Sequence, residues 1–258
     1  MFRRLSVLSI SAVIVLGCSS AGQSGSRPAP SQVAAPETST LAVTTRDYEF
    51  DAQDTIAAGS TLINLTNQGP SVHHVQLWKL EDSETFEAYK KKLDLKSHDL
   101  TTKPIISFAG GVGSVGAGES AQAIVDLAPG NYVFVCRVQD PLLHLYRGMV
   151  HPLTVTASTA TSKPDWVPQP DATVSFADTG FTLPAEIKAG HHVWTFKNDG
   201  PGPRALEVTS KAGDFYGGSE LIDPGATQLV VLDLRTGDYV ATSTWVAPDP
   251  TSTNFVVK

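Results

Sequence analysis

Apolar residues recur along this chain in short runs bounded by turn residues. TLINLTN, VHHVQLW, AQAIVDL, YVFVC and PLTV come first, and HVWTFKN, LEVTS, TQLVVLDL, YVATS and NFVVK follow after a Pro-rich gap. Each is four to eight residues long and rich in β-branched and aromatic side chains, the pattern of strands. Gly59, Gly69, Gly118, Pro129-Gly130, Gly190, Gly200, Gly225 and Gly237 punctuate them as turns. One segment differs: SETFEAYKKKLDL spaces Phe86, Tyr89 and Leu93 three to four residues apart, which predicts a short amphipathic helix.

The runs repeat as a set. Asp47, Phe50, Ile56, Gly59 and Asn67 recur 131 residues later as Asp178, Phe181, Ile187, Gly190 and Asn198. Gly110-Gly111, Gly118, Leu127, Gly130 and Tyr132 recur 107 residues later as Gly217-Gly218, Gly225, Leu234, Gly237 and Tyr239. The offset falls by 24, so the first copy carries about that many extra residues within 78 to 106, around the predicted helix. The expected architecture is all-β: two tandem β-sandwiches, over residues 45–156 and 173–258, joined by a linker at 157–172.

Composition and charge narrow the setting. The 258 residues are 41% hydrophobic and 17% charged, ordinary for globular domains, and a net charge of -7 with no basic aromatic patch argues against nucleic acid as a partner. Arg3 and Arg4 precede an apolar run from Leu5 to Leu16, which is shorter than the ~20 residues needed to span a bilayer. Residues 1–18 therefore read as an export signal. Val15-Leu16-Gly17-Cys18 resembles a bacterial lipobox, which implies a lipid on Cys18, a membrane anchor and a location at the periplasmic or extracellular face of the cell envelope. Residues 19–44, rich in Ser, Ala, Gly and Pro up to position 40, are expected to be a flexible tether. With Cys18 lipidated, Cys136 is the only thiol left in an oxidising compartment, and a bound metal would explain why it stays unpaired.

Candidate metal ligands cluster around that thiol. In YVFVCRVQDPLLHLYRGMVHPLTV, Cys136 ends one strand, His144 sits in the following loop and Met149 stands just before the next strand. A thiolate, an imidazole and a thioether are three of the four ligands of a type 1 copper centre. The fourth would be His73 or His74. Strand alternation puts His73 on the face of Val75 and Leu77, the expected core face, so His73 is the preferred ligand. The loop residues Pro141, Leu142, Leu143, Leu145 and Tyr146 are apolar, and suit either a docking patch around a solvent-facing His144 or packing against the insertion helix or the second sandwich.

NQGPSVHHVQL, GGVGSVGAGES, APGNYVFVC and the ordered Cys136, His144 and Met149 together resemble the cupredoxins, the blue copper family. The resemblance covers residues 45–156 with ligands and 173–258 as fold alone. It implies two cupredoxin-like Greek-key sandwiches, one mononuclear type 1 copper held by His73, Cys136, His144 and Met149, and one-electron transfer with a redox partner protein. In the family, the residue after the ligand histidine ties the ligand loops together, a place His74 would fill. The second copy has lost the site: Arg204 stands at the His73 position and Ser243 at the Cys136 position. Val135 and Arg137 flank the cysteine where oxidases and nitrite reductases carry histidine, and no His-x-His pair, nucleophile arrangement or phosphate loop occurs. The expectation is a carrier and not an enzyme; a copper-handling lipoprotein or a non-redox scaffold are the alternatives.

Overall fold

The computed structural model describes residues 39–92, 105–158, 166–177, 180–244 and 251–258. The export signal, Cys18 and part of the linker lie outside these. In the first half the strands are β1 (Ser39–Arg46), β2 (Glu49–Ala52), β3 (Thr55–Ala57), β4 (Gly59–Asn67), β5 (His73–Leu80), β6 (Ile105–Val115), β7 (Ser120–Leu127), β8 (Gly130–Val135) and β9 (Val150–Thr156). Helix α1 (Phe86–Lys92) follows β5, where the amphipathic spacing predicts it, and Thr85 Oγ1 accepts the Ala88 N–H at its start. The second half contributes β10 (Ala172–Ala177), β11 (Gly180–Thr182), β12 (Gly190–Asn198), β13 (Arg204–Ser210), β14 (Phe215–Ile222), β15 (Thr227–Leu234), β16 (Gly237–Thr244) and β17 (Thr251–Val257).

Each half is a β-sandwich with its own core. Leu41, Ile63, Leu77, Phe134 and Leu153 pack in the first, and Val174, Trp194, Phe196, Leu206 and Leu232 in the second. The stretch expected as tether ends earlier than its composition suggests. Residues 39–44 are part of β1, which pairs in parallel with β4 and buries Leu41 and Val43 completely. Two alternating apolar side chains there outweigh the polar composition that precedes them.

The halves do not sit apart on the linker; they share both sheets. One sheet runs β11-β10-β12-β15-β7-β4-β1-β2 and the other β17-β16-β13-β14-β6-β5-β8-β9-β3, each crossing from one half to the other at a single strand pair. Those pairs join repeat equivalents. Val112 of β6 lies opposite Ser219 of β14, and Ala123 of β7 opposite Val230 of β15, each residue facing its own counterpart 107 positions away. A local twofold therefore relates the halves, as in an isologous dimer. Linker residues Trp166 and Val167 pack across the seam with Ile124, Val193 and Leu229.

The glycine-rich segment GGVGSVG turns out to be strand β6, at the centre of this seam. A Cβ at Gly111 would stand 1.8 Å from the Val75 carbonyl oxygen, and one at the equivalent Gly218 would stand 1.9 Å from that of Leu206. Glycine is needed there for the close approach of backbones as much as for its positive φ. Gly111→Ala is expected to destabilise the fold by about 3 kcal/mol or more, from strain and overpacking together. Gly118→Ala meets only a positive φ in open space and should cost about 1 kcal/mol. Urea unfolding midpoints of the two variants test this, and equal losses would remove the close-approach argument.

Candidate metal centre

Three expected ligands converge at one end of the first sandwich. His73 opens β5, Cys136 follows β8, and His144 begins a single 3₁₀ turn, His144–Arg147. All three are fully buried. The separations are 3.1 Å between the Nδ1 atoms of His73 and His144, 3.5 Å from Cys136 Sγ to His144 Nδ1, and 3.8 Å from Sγ to His73 Nδ1. A triangle with these sides has a point about 2.0 Å from every corner, close to ordinary metal–nitrogen and metal–sulfur distances. No other group of three potential ligands of this kind occurs among the described residues.

The loop that carries His144 is folded back onto Cys136 by its own backbone. Leu145 N–H donates to the Cys136 carbonyl (2.8 Å), Met149 N–H to the His144 carbonyl (3.1 Å) and Cys136 N–H to the Met149 carbonyl (3.3 Å). Gly148, at φ 95°, closes the 3₁₀ turn in the left-handed conformation that lets the chain re-enter β9. Met149 is fully buried in the same apolar cluster as Cys136.

Two residues missed in the sequence come from the β1–β2 turn. Asp47 Oδ1 accepts the Nε2–H of His73 at 2.7 Å and is itself held by Ser71, whose hydroxyl donates to Oδ2 at 2.6 Å. This bond leaves Nδ1 of His73 as the free donor atom facing Cys136. Asp47 stood out only as a repeated position; its role needs the fold that brings the turn over β5. The ring of Tyr48 packs edge-on against His144, with centroids 4.7 Å apart, and Arg147 donates to the Tyr48 hydroxyl (2.9 Å) with its guanidinium over the ring.

This cover corrects the expectation of a solvent-facing His144. Its Nε2 is buried without a hydrogen-bond partner among the described residues. The apolar loop divides accordingly. Leu145 and Tyr146 are buried with Trp78, Leu80 and Tyr89, so they pack against the insertion helix, whereas Leu142 stays 45% exposed.

His74 points the other way. Its Nε2 accepts the N–H of Arg137, the residue after the cysteine, at 2.5 Å, so it ties the strands carrying the two ligands. Its Nδ1 faces the Glu220 carboxylate of the second half. That carboxylate favours a protonated ring, yet a cationic His74 would set two N–H donors against each other at Arg137. The geometry keeps the ring neutral, with its proton on Nδ1.

Burial alone would raise the Cys136 pKa; hydrogen bonds with the His144 and His73 imidazoles lower it. Burial would likewise lower the His73 pKa; hydrogen bonds to Cys136 and Asp47 reverse this and raise it. A preformed thiolate among imidazoles suits a metal of borderline or soft preference, and the donor set fits one.

The second half keeps none of this. Arg204 stacks its guanidinium over Phe176 at 4.3 Å, and Ser243 is buried at the cysteine position. Its His191 is exposed beside Asp233, while His192 is cradled by Asp171 and the Lys188 carbonyl.

No protein-family model and no curated protein matches the chain. Among solved structures it is similar to the dithionite-reduced auracyanin of the photosynthetic bacterium Roseiflexus castenholzii, at 21% identity over 46% of this chain and 98% of that one, TM-score 0.32. It is also similar to the copper-containing nitrite reductase of Thermus scotoductus, at 13% identity over 85% and 61%, TM-score 0.27. A third is the blue copper oxidase of Nitrosomonas europaea, at 14% over 79% and 78%, TM-score 0.27. The last two are enzymes by name, so the expectation that the chain is not an enzyme does not stand.

Metal binding requires a neutral His73, and its raised pKa means that protons compete there at a pH above the usual histidine range. Affinity should therefore fall as pH decreases through that region, with no proton released from the preformed thiolate. Asp47→Asn should move the fall to lower pH and weaken binding about tenfold. Cobalt(II) titrations at several pH values measure both effects, and an unmoved midpoint would argue against the Asp47 contact.

Proposed function

We propose that the first half is a copper centre for one-electron transfer, holding a single mononuclear type 1 copper through Nδ1 of His73, the thiolate of Cys136 and Nδ1 of His144, with Met149 as the weak axial ligand. The convergence of two imidazole nitrogens and one buried thiolate on a common point carries the reading. Copper bound there would supply reversible exchange between its +1 and +2 states. The chain's own part is to keep the ligands still. Asp47 fixes the His73 ring, Tyr48 blocks one side of His144, and the backbone bonds between residues 136, 144, 145 and 149 clamp the loop. Ligands already in place before and after electron exchange leave little to reorganise, which favours fast transfer.

The same reading takes the protein to the cell envelope, anchored through lipid on Cys18 and exchanging electrons with a redox partner protein, without a nucleic-acid partner. The lipobox-like Val15-Leu16-Gly17-Cys18 and the apolar run before it support this. No described helix is long and apolar enough to cross a membrane.

Adding Cu(II) to the purified protein should produce a strong visible thiolate-to-copper band and a narrow copper hyperfine splitting in electron spin resonance. Cys136→Ser should abolish the band, and His144→Ala should abolish or displace it. A colourless parent loaded with Cu(II) would reject the type 1 assignment, and readily exchanged Cu(I) without the band would favour copper handling. Cys18→Ser should move the protein from the detergent to the aqueous phase in Triton X-114 partition of whole cells; unchanged partition would reject the lipid anchor.

A further inference from the structure

The seam between the halves is isologous, so a contact in it can occur twice. Gln76 of β5 bonds the Leu221 backbone through both ends of its amide: Leu221 N–H donates to Oε1 (2.8 Å) and Nε2 donates to the Leu221 carbonyl (3.2 Å). The counterpart of Gln76 is Glu207, 131 residues on, and it bonds Ser114, the counterpart of Leu221. The contact made by His74 is one that has no twin. His74 meets Glu220, but the equivalent positions are Ala205 and Gly113, which carry no polar side chain.

That unpaired contact lies directly behind the metal ligands. Glu220 sits in β14 and reaches across β6 to β5. β6 pairs with β14 on one side and with β5 on the other, and it carries glycine at 111 and 113 along this stretch. Glu220 and His74 are both more than nine-tenths buried. Arg137 and Glu207 are the other charged groups coupled to Glu220. A buried pair of this kind contributes little net stability relative to apolar filling, so packing alone is a poor reason for it.

We propose that Glu220 is a positioning residue for the metal centre, supplied by the half that has lost its own. Its carboxylate lies against Nδ1 of His74 and favours a proton on that nitrogen, which leaves Nε2 free to accept the Arg137 N–H, and this bond pins the peptide that follows Cys136. The direction of the thiolate is set by that peptide and by the Cys136 N–H bond to the Met149 carbonyl on its other side. Without the acceptor at 220, His74 has no reason to hold its proton on Nδ1, and the alternative tautomer would turn an N–H toward Arg137. The second half thus acts as a fixed, in-chain outer shell of the site. The inference rests on the copper reading only for its spectroscopic arm.

The test compares Glu220→Leu, which removes the acceptor at similar volume, with Glu220→Gln, which removes the charge but keeps an acceptor oxygen. Glu207→Gln serves as a control that removes a seam charge bonded to Ser114 and not to His74. Ring-nitrogen NMR of His74 in the metal-free parent should show a protonated Nδ1 and a bare Nε2. The Leu variant should lose this pattern; the Gln variant and the control should keep it. With copper, the Leu variant should show altered hyperfine splitting and reduction potential and release copper to a chelator about tenfold faster, while the other two stay near the parent. A parent with Nε2 protonated would overturn the proposal even if the Leu variant fails to fold. So would a Leu variant with parental ring shifts and hyperfine values, or Gln and Leu variants that behave alike. A parent that shows the tautomer but binds no copper would sink the copper reading and leave the His74 assignment standing.

Discussion

A sulfur anion buried away from water has to be surrounded by groups that favour it, and the first half of this protein is arranged around that requirement. Cys136 lies fully inside the sandwich, where desolvation would keep the thiol protonated. Imidazoles from β5 and from the 136–149 loop reverse that preference. Each of them is in turn held by something further out: His73 by Asp47, His144 by the Tyr48 ring, His74 by Glu220. The layers are ordered outward from one atom, and the arrangement favours a thiolate at its centre.

The doubled architecture gives those outer layers their footing. A single sandwich would leave one face of β5 to solvent. Here β6 pairs with β14 and the strand is covered on both sides, so His74 and Gln76 find partners in the second half. Glycines in β6 and β14 make this possible by letting backbones approach where a side chain would separate them. The insertion helix does similar work on the outer face, sealing Trp78, Leu145 and Tyr146 under Tyr89 and fixing the ligand loop from above.

The ligand set was legible in the chain because its chemistry is local. Cys136, His144 and Met149 lie within one strand–loop–strand unit, and a thiol with no disulfide partner is conspicuous by count alone. Strand alternation separated His73 from His74, and in the structure the first joins Cys136 and His144 in one cluster while the second does not. Internal repetition gave the two halves, and helical spacing gave α1.

What the chain could not declare is whatever depends on two distant segments meeting. The glycine-rich stretch carries no side-chain periodicity, so its identity as the seam strand appears only when β14 lies beside it. Composition hid β1 for a related reason, since its small and polar residues continue the preceding stretch and its parallel partner β4 lies beside it only in the folded chain. Asp47, Tyr48 and Glu220 are ordinary surface-type residues in sequence; folding places the first two over the ligand histidines and buries the third behind them. Sequence by itself determined the donor atoms and the repeated scaffold, because periodicity and residue chemistry are properties of short segments. Only the tertiary structure decided which partners hold those donors, because pairing across a seam is a property of surfaces that exist only once the chain has folded.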